Sequence, residues 1–213
     1  LKPSKYHLVD GNLKGVEDTK KLLYGYNVVD LKVVHSLFLE YQTNNLYDIV
    51  WAEGCIPHQS DPFSIVKHLS SYTKKDGIFV ASMNNGVSVL SETIRRVASF
   101  MHLNETSSFQ QKLDTIRPLL KGHLENLKGM SRSFDDWIAD SIINPQHKTK
   151  LFSIPDAIEV LQNDYDIYST SSKLISDWRW YKEITGDDRG FNQIALDCYY
   201  KSTLNLIDYK YAP

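Results

Sequence analysis

An apolar run at residues 47–51 is followed by a polar loop, a helix-like segment and a second apolar run at residues 77–82. This order predicts a β-α-β unit, in which the two strands are parallel. Open α/β sheets bind ligands beyond the carboxyl ends of such strands. The loop after the first run contains Glu53 and His58. We therefore expect these two side chains at a binding edge.

The composition narrows the classes of partner. Lys and Arg number 24 against 26 Asp and Glu, so no charge excess attracts nucleic acid or anionic lipid, and a small ligand is favoured. The two cysteines, Cys55 and Cys198, are far apart in apolar surroundings, which suits a reducing compartment. No signal peptide or bilayer-spanning run is found in the sequence. We predict one structural unit in the cytoplasm, with no membrane contact.

Strands and helices alternate through the first 82 residues. An apolar run at residues 6–9 ends in an acidic turn, a helix follows at residues 15–23, and a further apolar run covers residues 31–34. With the two runs described above, this alternation predicts an α/β fold with a doubly wound, mostly parallel sheet.

Helical patterns follow the predicted sheet. Apolar residues at helical spacing cover residues 87–101 and 109–127, with a kink or break expected at Pro118, and Ser133 is placed to cap another helix. A helix beginning at Pro155, a strand at residues 165–170 and a C-terminal helix from Phe191 towards residue 209 complete the prediction.

The predicted organisation has three parts. They are an α/β core at residues 1–85, a helical insertion or lid at residues 86–150, and the remainder of the core with its C-terminal helix at residues 151–213. The segment at residues 177–182 is dense in aromatic and charged residues. It is interpreted as capping the edge of the core, with a recognition surface as the alternative.

The order and spacing of the first 85 residues resemble the class I methyltransferases that use S-adenosylmethionine. The resemblance implies a Rossmann-like fold and this cofactor. In that family, an acid after the second strand binds the ribose hydroxyls, the loop after the third strand flanks the adenine, and the fourth strand and its loop form the pocket floor. The residues at the matching positions are Asp10 and Gly11 for ribose, His35 and Ser36 for adenine, and Glu53 and Gly54 for the floor.

One family motif is absent from the sequence. A Gly-rich loop that receives the methionine end of the cofactor should precede Asp10 by about twenty residues, and no G-x-G occurs among the ten glycines. In the family, the strand before this loop lies between the second and fourth strands. Without it two strand edges would be unpaired, which natural sheets avoid. We therefore expect a longer chain or a substitute segment, and a gap between the strands at Tyr6 and Ile49.

His58 is the predicted general base, because an imidazole can accept a proton near neutral pH. The alternative is a loop histidine that only packs. Cys55 and His58 form a C-x-x-H pair, but no second Cys/His cluster accompanies it, so no metal is predicted and Cys55 is assigned to packing. Arg132 and Trp137, at the start of a lid helix, are the predicted substrate-facing residues.

The predicted function is S-adenosylmethionine-dependent methylation of a small-molecule acceptor. Two alternatives remain open. The first is a non-catalytic binding or scaffold protein on a methyltransferase-like fold, which the missing Gly-rich loop favours. The second is a dinucleotide-dependent oxidoreductase, because an acid such as Asp10 after a strand also binds ribose in that class.

Overall fold

A computed structural model describes residues 3–26, 28–57, 59–144, 151–171, 174 and 190–204. The chain forms two compact units. The strand unit comprises Leu1–Ser82 with Glu159–Asn163, and the helical unit comprises Met83–Ile158 with Asp164–Pro213.

The strand unit contains four strands among its described residues. They are β1 (Lys5–Asp10), β2 (Asp30–His35), β3 (Tyr47–Ala52) and β4 (Thr73–Ala81). β1 pairs with β2 in continuous register, and β3 pairs with β4 with an irregularity after Tyr47. Gly77 is required there, because a Cβ at this position would lie 2.9 Å from the carbonyl oxygen of Asp48. The predicted parallel pairing within each pair is confirmed.

The described strands form two ladders of two strands rather than one sheet. The single doubly wound sheet predicted from the alternation is therefore not seen. As the sequence also predicts, β1 and β3 do not pair directly in the described part of the chain. Side chains connect them instead: the hydroxyl of Tyr47 lies 2.5 Å from Nδ1 of His7. Burial raises the pKa of Tyr47 to about 12, so the hydroxyl keeps its proton at neutral pH.

Two helices accompany these strands. α1 (Leu13–Leu23) begins at Asn12, whose side chain accepts a hydrogen bond from the backbone N–H of Lys14. α2 (Pro62–Ser70) begins at Asp61, whose side chain accepts from the N–H of Ser64. Each N-cap satisfies a donor that the first helical turn leaves free. The caps fix where the polar loops after β1 and β3 end.

The helical unit is organised around α4. Its described elements are α3 (Leu90–Phe100), α4 (Phe109–Glu125), α5 (Phe134–Ile138) continuing as a π-helix (Ala139–Ile143), the part of α6 (Ile154–Leu161) up to Ile158, and α7 (Phe191–Lys201). One cluster of buried apolar side chains joins α4, α5 and the π-helix. Its members are Leu113, Ile116, Leu120, Leu124, Ile138 and Ile142.

Of three local predictions, the structure confirms one and contradicts two. The cap at Ser133 is confirmed, since its side chain accepts from the N–H of Asp136. The break at Pro118 is wrong, because α4 is one continuous helix that contains this proline. The strand at residues 165–170 is also wrong. Asn192 instead bonds the backbone at Tyr165 and Ile167 through its side-chain amide, both at 2.8 Å.

α7 ends at Lys201, and residues 205–209, to which the sequence extends the predicted C-terminal helix, lie outside the described residues. The aromatic segment at residues 177–182 and Pro145 lie outside the described residues. Among the helices described, none combines the length and apolar character needed to cross a bilayer.

Candidate functional site

The carboxyl ends of β1 and β2 meet, since Asp10 and His35 are their last residues and lie in register. The backbone N–H of Ser36 donates to the carbonyl of Asp10 at 3.1 Å. The ring Nε2 of His35 donates to the carbonyl of Gly11, also at 3.1 Å. The structure thus brings together the residues predicted to contact ribose and adenine.

The loop after β3 is held against the end of β4. The N–H of Gly54 donates to the side-chain oxygen of Ser82 at 2.9 Å. Gly54 has a φ of +73°, which favours glycine because a side chain is strained there. The Ser82 N–H donates in turn to the carbonyl of Ala52. Ser82 therefore fixes the predicted pocket floor, a role that its position at the end of an apolar run does not indicate.

The loop after β3 also approaches the end of β1. Burial raises the pKa of the Cys55 thiol, and the negative charge of Asp10 adds to this shift. A protonated thiol is a poor nucleophile, so these surroundings agree with the packing role predicted for Cys55. The strand ends and the loops after them therefore gather on one side of the strand unit. We call Asp10, Gly11, His35, Ser36, Glu53 and Gly54 the strand-end site.

The two oxygens of the Asp10 carboxylate have different surroundings. Oδ1 accepts the N–H of Asn12 at 2.8 Å, which forms the turn into α1. Oδ2 accepts no hydrogen bond from the residues that the structure describes. It lies where a Cβ on Gly15 would be only 2.6 Å away. Gly15 therefore provides the space for this oxygen, a role that depends on a three-dimensional contact and has no sequence signal.

The structure describes Glu53 but not His58, the two residues predicted to lie at the binding edge after β3. The indole N–H of Trp51 donates to the Glu53 carboxylate at 3.1 Å, with both residues exposed. The carboxylate can still accept from a ligand, because each oxygen has two lone pairs. His58 lies outside the described residues, so its role as general base stays a prediction.

A pocket of about 480 Å³ adjoins the strand-end site. This volume is in the range of small-molecule sites, and the pocket is broadly open to solvent. Two predicted adenine-flanking residues line it together with the face of β1 and β2 and the loop that follows β2. The lining residues are His7, Lys32, Val34, His35, Ser36, Glu40, Tyr41, Gln42 and Thr43.

The two predicted substrate residues lie together in the helical unit. Arg132 and Trp137 line an open pocket of about 310 Å³. The Arg132 guanidinium pairs with Asp140 at 2.8 Å, and the guanidinium carbon of Arg95 lies 5.8 Å from the centre of the Trp137 ring system. The proximity of the two residues is observed, and their contact with an acceptor remains a prediction. No group of three or more potential metal ligands is found within the described ranges.

No family model and no curated protein matches this chain. Two solved structures of PKMT2 from Rickettsia typhi do match. The structure in complex with AdoHcy is 16% identical with a TM-score of 0.51, and the other is 17% identical with a TM-score of 0.54. Each alignment covers 75% of this chain and 33% of the PKMT2 chain, so this chain spans about a third of their length. The likeness shows that the aligned part of this chain shares its α/β fold with part of PKMT2.

Proposed function

We propose that this protein is a methyltransferase that uses S-adenosylmethionine. The observation that carries the proposal is the gathering of the strand ends in a fold shared with PKMT2, which was solved with AdoHcy bound. Open α/β sheets bind ligands at this edge. The strand-end site would thus hold the adenosine part of the cofactor.

The residues of the strand-end site fit the adenosine part of the cofactor. Oδ2 of Asp10 is open to accept a hydrogen bond from a ribose hydroxyl, while Oδ1 remains bonded to the backbone of Asn12. His35 and Ser36 border the adjoining pocket and would flank the adenine. Glu53 and Gly54 would form the floor, which Ser82 holds in place.

Methyl transfer from a sulfonium is a direct displacement, and S-adenosylmethionine supplies the methyl group when it is bound. The protein therefore has to align the acceptor and exclude water. His58 is proposed to accept the proton that the nucleophile loses. No metal is needed for these steps.

The acceptor is proposed to be a small molecule that Arg132 and Trp137 contact. Trp137 would supply an apolar surface and Arg132 a cation. An anionic group of the acceptor would have to compete with Asp140 for the Arg132 guanidinium, because two N–H groups of Arg132 already bind one oxygen of that carboxylate. Arg132 therefore favours acceptors with a strong anionic group, such as a carboxylate or phosphate.

Calorimetric titration of the 213-residue chain with adenosine, AdoHcy and NAD⁺ tests the cofactor class. We expect adenosine and AdoHcy to bind with similar dissociation constants, because no Gly-rich loop is present in this sequence to recognise the methionine end. Binding of NAD⁺ alone would favour the oxidoreductase alternative. Binding of neither adenosine nor AdoHcy would contradict the proposal.

A further inference from the structure

One wall of the pocket beside the strand-end site is a continuous segment of the loop after β2. It consists of residues 40–43, which all line the pocket, and we call it the pocket wall. Within the loop, the N–H groups of Glu40 and Tyr41 both donate to the carbonyl of Leu37 at 3.1 Å. These bonds curl the wall but do not attach it to another element.

The carbonyl of Tyr41 makes that attachment. It accepts a hydrogen bond from Nε2 of His68 at 2.9 Å and another from the hydroxyl of Tyr72 at 2.8 Å. A carbonyl oxygen has two lone pairs, so both are used here. His68 lies on α2, and Tyr72 directly precedes β4. Two elements therefore hold one peptide group of the pocket wall.

The geometry determines the protonation of both donors. A carbonyl oxygen only accepts hydrogen bonds, so the ring of His68 carries a proton on Nε2. Burial raises the pKa of Tyr72, so its hydroxyl is protonated at neutral pH. Both bonds have the lengths of well-formed hydrogen bonds. Each donor therefore contributes separately to the hold on Tyr41.

Tyr72 is itself held in place. It is only 8% exposed, and its carbonyl accepts the N–H of Tyr47 on β3 at 2.8 Å. Its ring meets the rings of Tyr41 and His68 edge to face, with centroids 5.8 and 5.1 Å apart, an arrangement that aromatic pairs prefer. The support behind the pocket wall is therefore packed, as a binding site on a loop requires.

The pocket wall lines the same pocket as His35 and Ser36, whereas His68 and Tyr72 do not line it. Any effect of these two donors on a ligand therefore passes through Tyr41. We propose that His68 and Tyr72 are positioning residues for adenosine binding, which hold the pocket wall, through the Tyr41 carbonyl, at the distance that the base requires. This inference rests on the proposed function.

Calorimetric titration with adenosine tests the two donors. We expect Tyr72→Phe and His68→Leu each to bind adenosine about three- to tenfold more weakly than the unaltered chain, because each removes one hydrogen bond that holds the wall. His68→Gln should keep the affinity, since its amide retains an N–H donor. Tyr24→Phe is the matched control, because Tyr24 is 91% exposed at the end of α1, and it should bind as the unaltered chain does.

The result for the unaltered chain separates this inference from the proposed function. If the unaltered chain binds no adenosine, both are contradicted. If it binds adenosine and the Tyr72→Phe and His68→Leu chains bind as tightly, only the positioning role is overturned. A His68→Gln chain as weak as the His68→Leu chain would also overturn that role, because retaining a donor would then make no difference.

Adenosine analogues that lack one ribose hydroxyl distinguish a wall effect from a general loosening of the strand unit. The proposal places the wall beside the base and leaves the ribose contacts intact. The loss of affinity from adenosine to 2′-deoxyadenosine or 3′-deoxyadenosine should therefore be the same factor in the Tyr72→Phe chain as in the unaltered chain. A smaller factor in the Tyr72→Phe chain would show that Tyr72 acts on the ribose contacts, and would overturn its assignment to the pocket wall.

Discussion

In the helical unit, α4, α5 and the π-helix bring six apolar side chains into one buried cluster, whereas the strand-end site consists of polar side chains and glycines at the ends of strands. Burial of apolar side chains stabilises the first region. The second is held by single hydrogen bonds to the backbone, such as those of Ser82 and His35. Substitutions in the helical cluster should therefore lower stability, and substitutions in the strand-end site should lower ligand affinity.

The largest expected effect is a loss of stability in the helical cluster. Ile116 on α4 is fully buried, so Ile116→Ala removes buried methyl groups and leaves a cavity. We expect it to lower the free energy of unfolding by about 2–5 kcal/mol, measured by denaturant titration. Leu119→Ala is the control on the same helix, because Leu119 is 48% exposed. An equal loss from both variants would contradict a core role for Ile116.

The next effect is on binding. Asp10→Ala removes the carboxylate oxygen that we assign to the ribose, and we expect adenosine or AdoHcy affinity to fall by about 1.5–3 kcal/mol. Calorimetry on the folded variant measures this change. Asp18→Ala is the acidic control, since Asp18 lies on α1 and pairs with Lys14. Unchanged affinity in the Asp10 variant would remove Asp10 from the binding site.

Gly15→Ala should change ligand affinity and stability in opposite directions. Its new side chain would lie 2.6 Å from Oδ2 of Asp10, so the carboxylate must turn away and affinity should fall by about 1 kcal/mol. Stability should instead rise by up to about 1 kcal/mol, because alanine is favoured over glycine in a helix.

Gly122→Ala is the matched control for this variant. Gly122 lies on α4 with nothing within 4 Å of its Cβ position. It should raise stability to a similar extent and leave affinity unchanged. If Gly15→Ala binds as tightly as the unaltered chain, the space that Gly15 provides is not needed for binding.

Local periodicity predicted the elements well, because strand alternation and helix caps are encoded over a few residues. The parallel pairing of β1 with β2 and of β3 with β4 is confirmed on this basis, as is the cap at Ser133. The strand at residues 165–170 failed because strand formation also needs a partner, and the Asn192 side chain bonds this backbone instead. Pro118 did not break α4, in which Ile116 and Leu120 on either side of it are buried in the helical cluster.

Prediction of the site is likewise limited to what neighbouring residues in the sequence encode. Asp10 and His35 could be placed together from the sequence, because parallel strands end at the same edge. Gly15 and Ser82 could not, since each acts through a contact with a residue distant in sequence or on another element. The separation into two ladders was only partly predictable: the gap between β1 and β3 was expected, but their connection through His7 and Tyr47 was not.

The smallest expected effect concerns an ion pair beside the helical cluster. Arg117 on α4 donates to both carboxylate oxygens of Asp135 on α5, at 2.6 and 2.8 Å. These hydrogen bonds lower the pKa of Asp135. Because the folded pKa is below the unfolded value, the pair stabilises the fold above the unfolded pKa of about 3.9 and is lost as the pH falls through the lower, folded value.

Asp135→Asn should therefore be less stable than the unaltered chain at neutral pH, and this difference should vanish in acid below the folded pKa. The difference should be smaller than that of Ile116→Ala, since the two side chains are 39% and 46% exposed and water screens exposed pairs. Thermal unfolding measured across pH checks both statements. Added salt should also shrink the difference at neutral pH. A difference that persists unchanged in acid would show that Asp135 acts through packing and not through its charge.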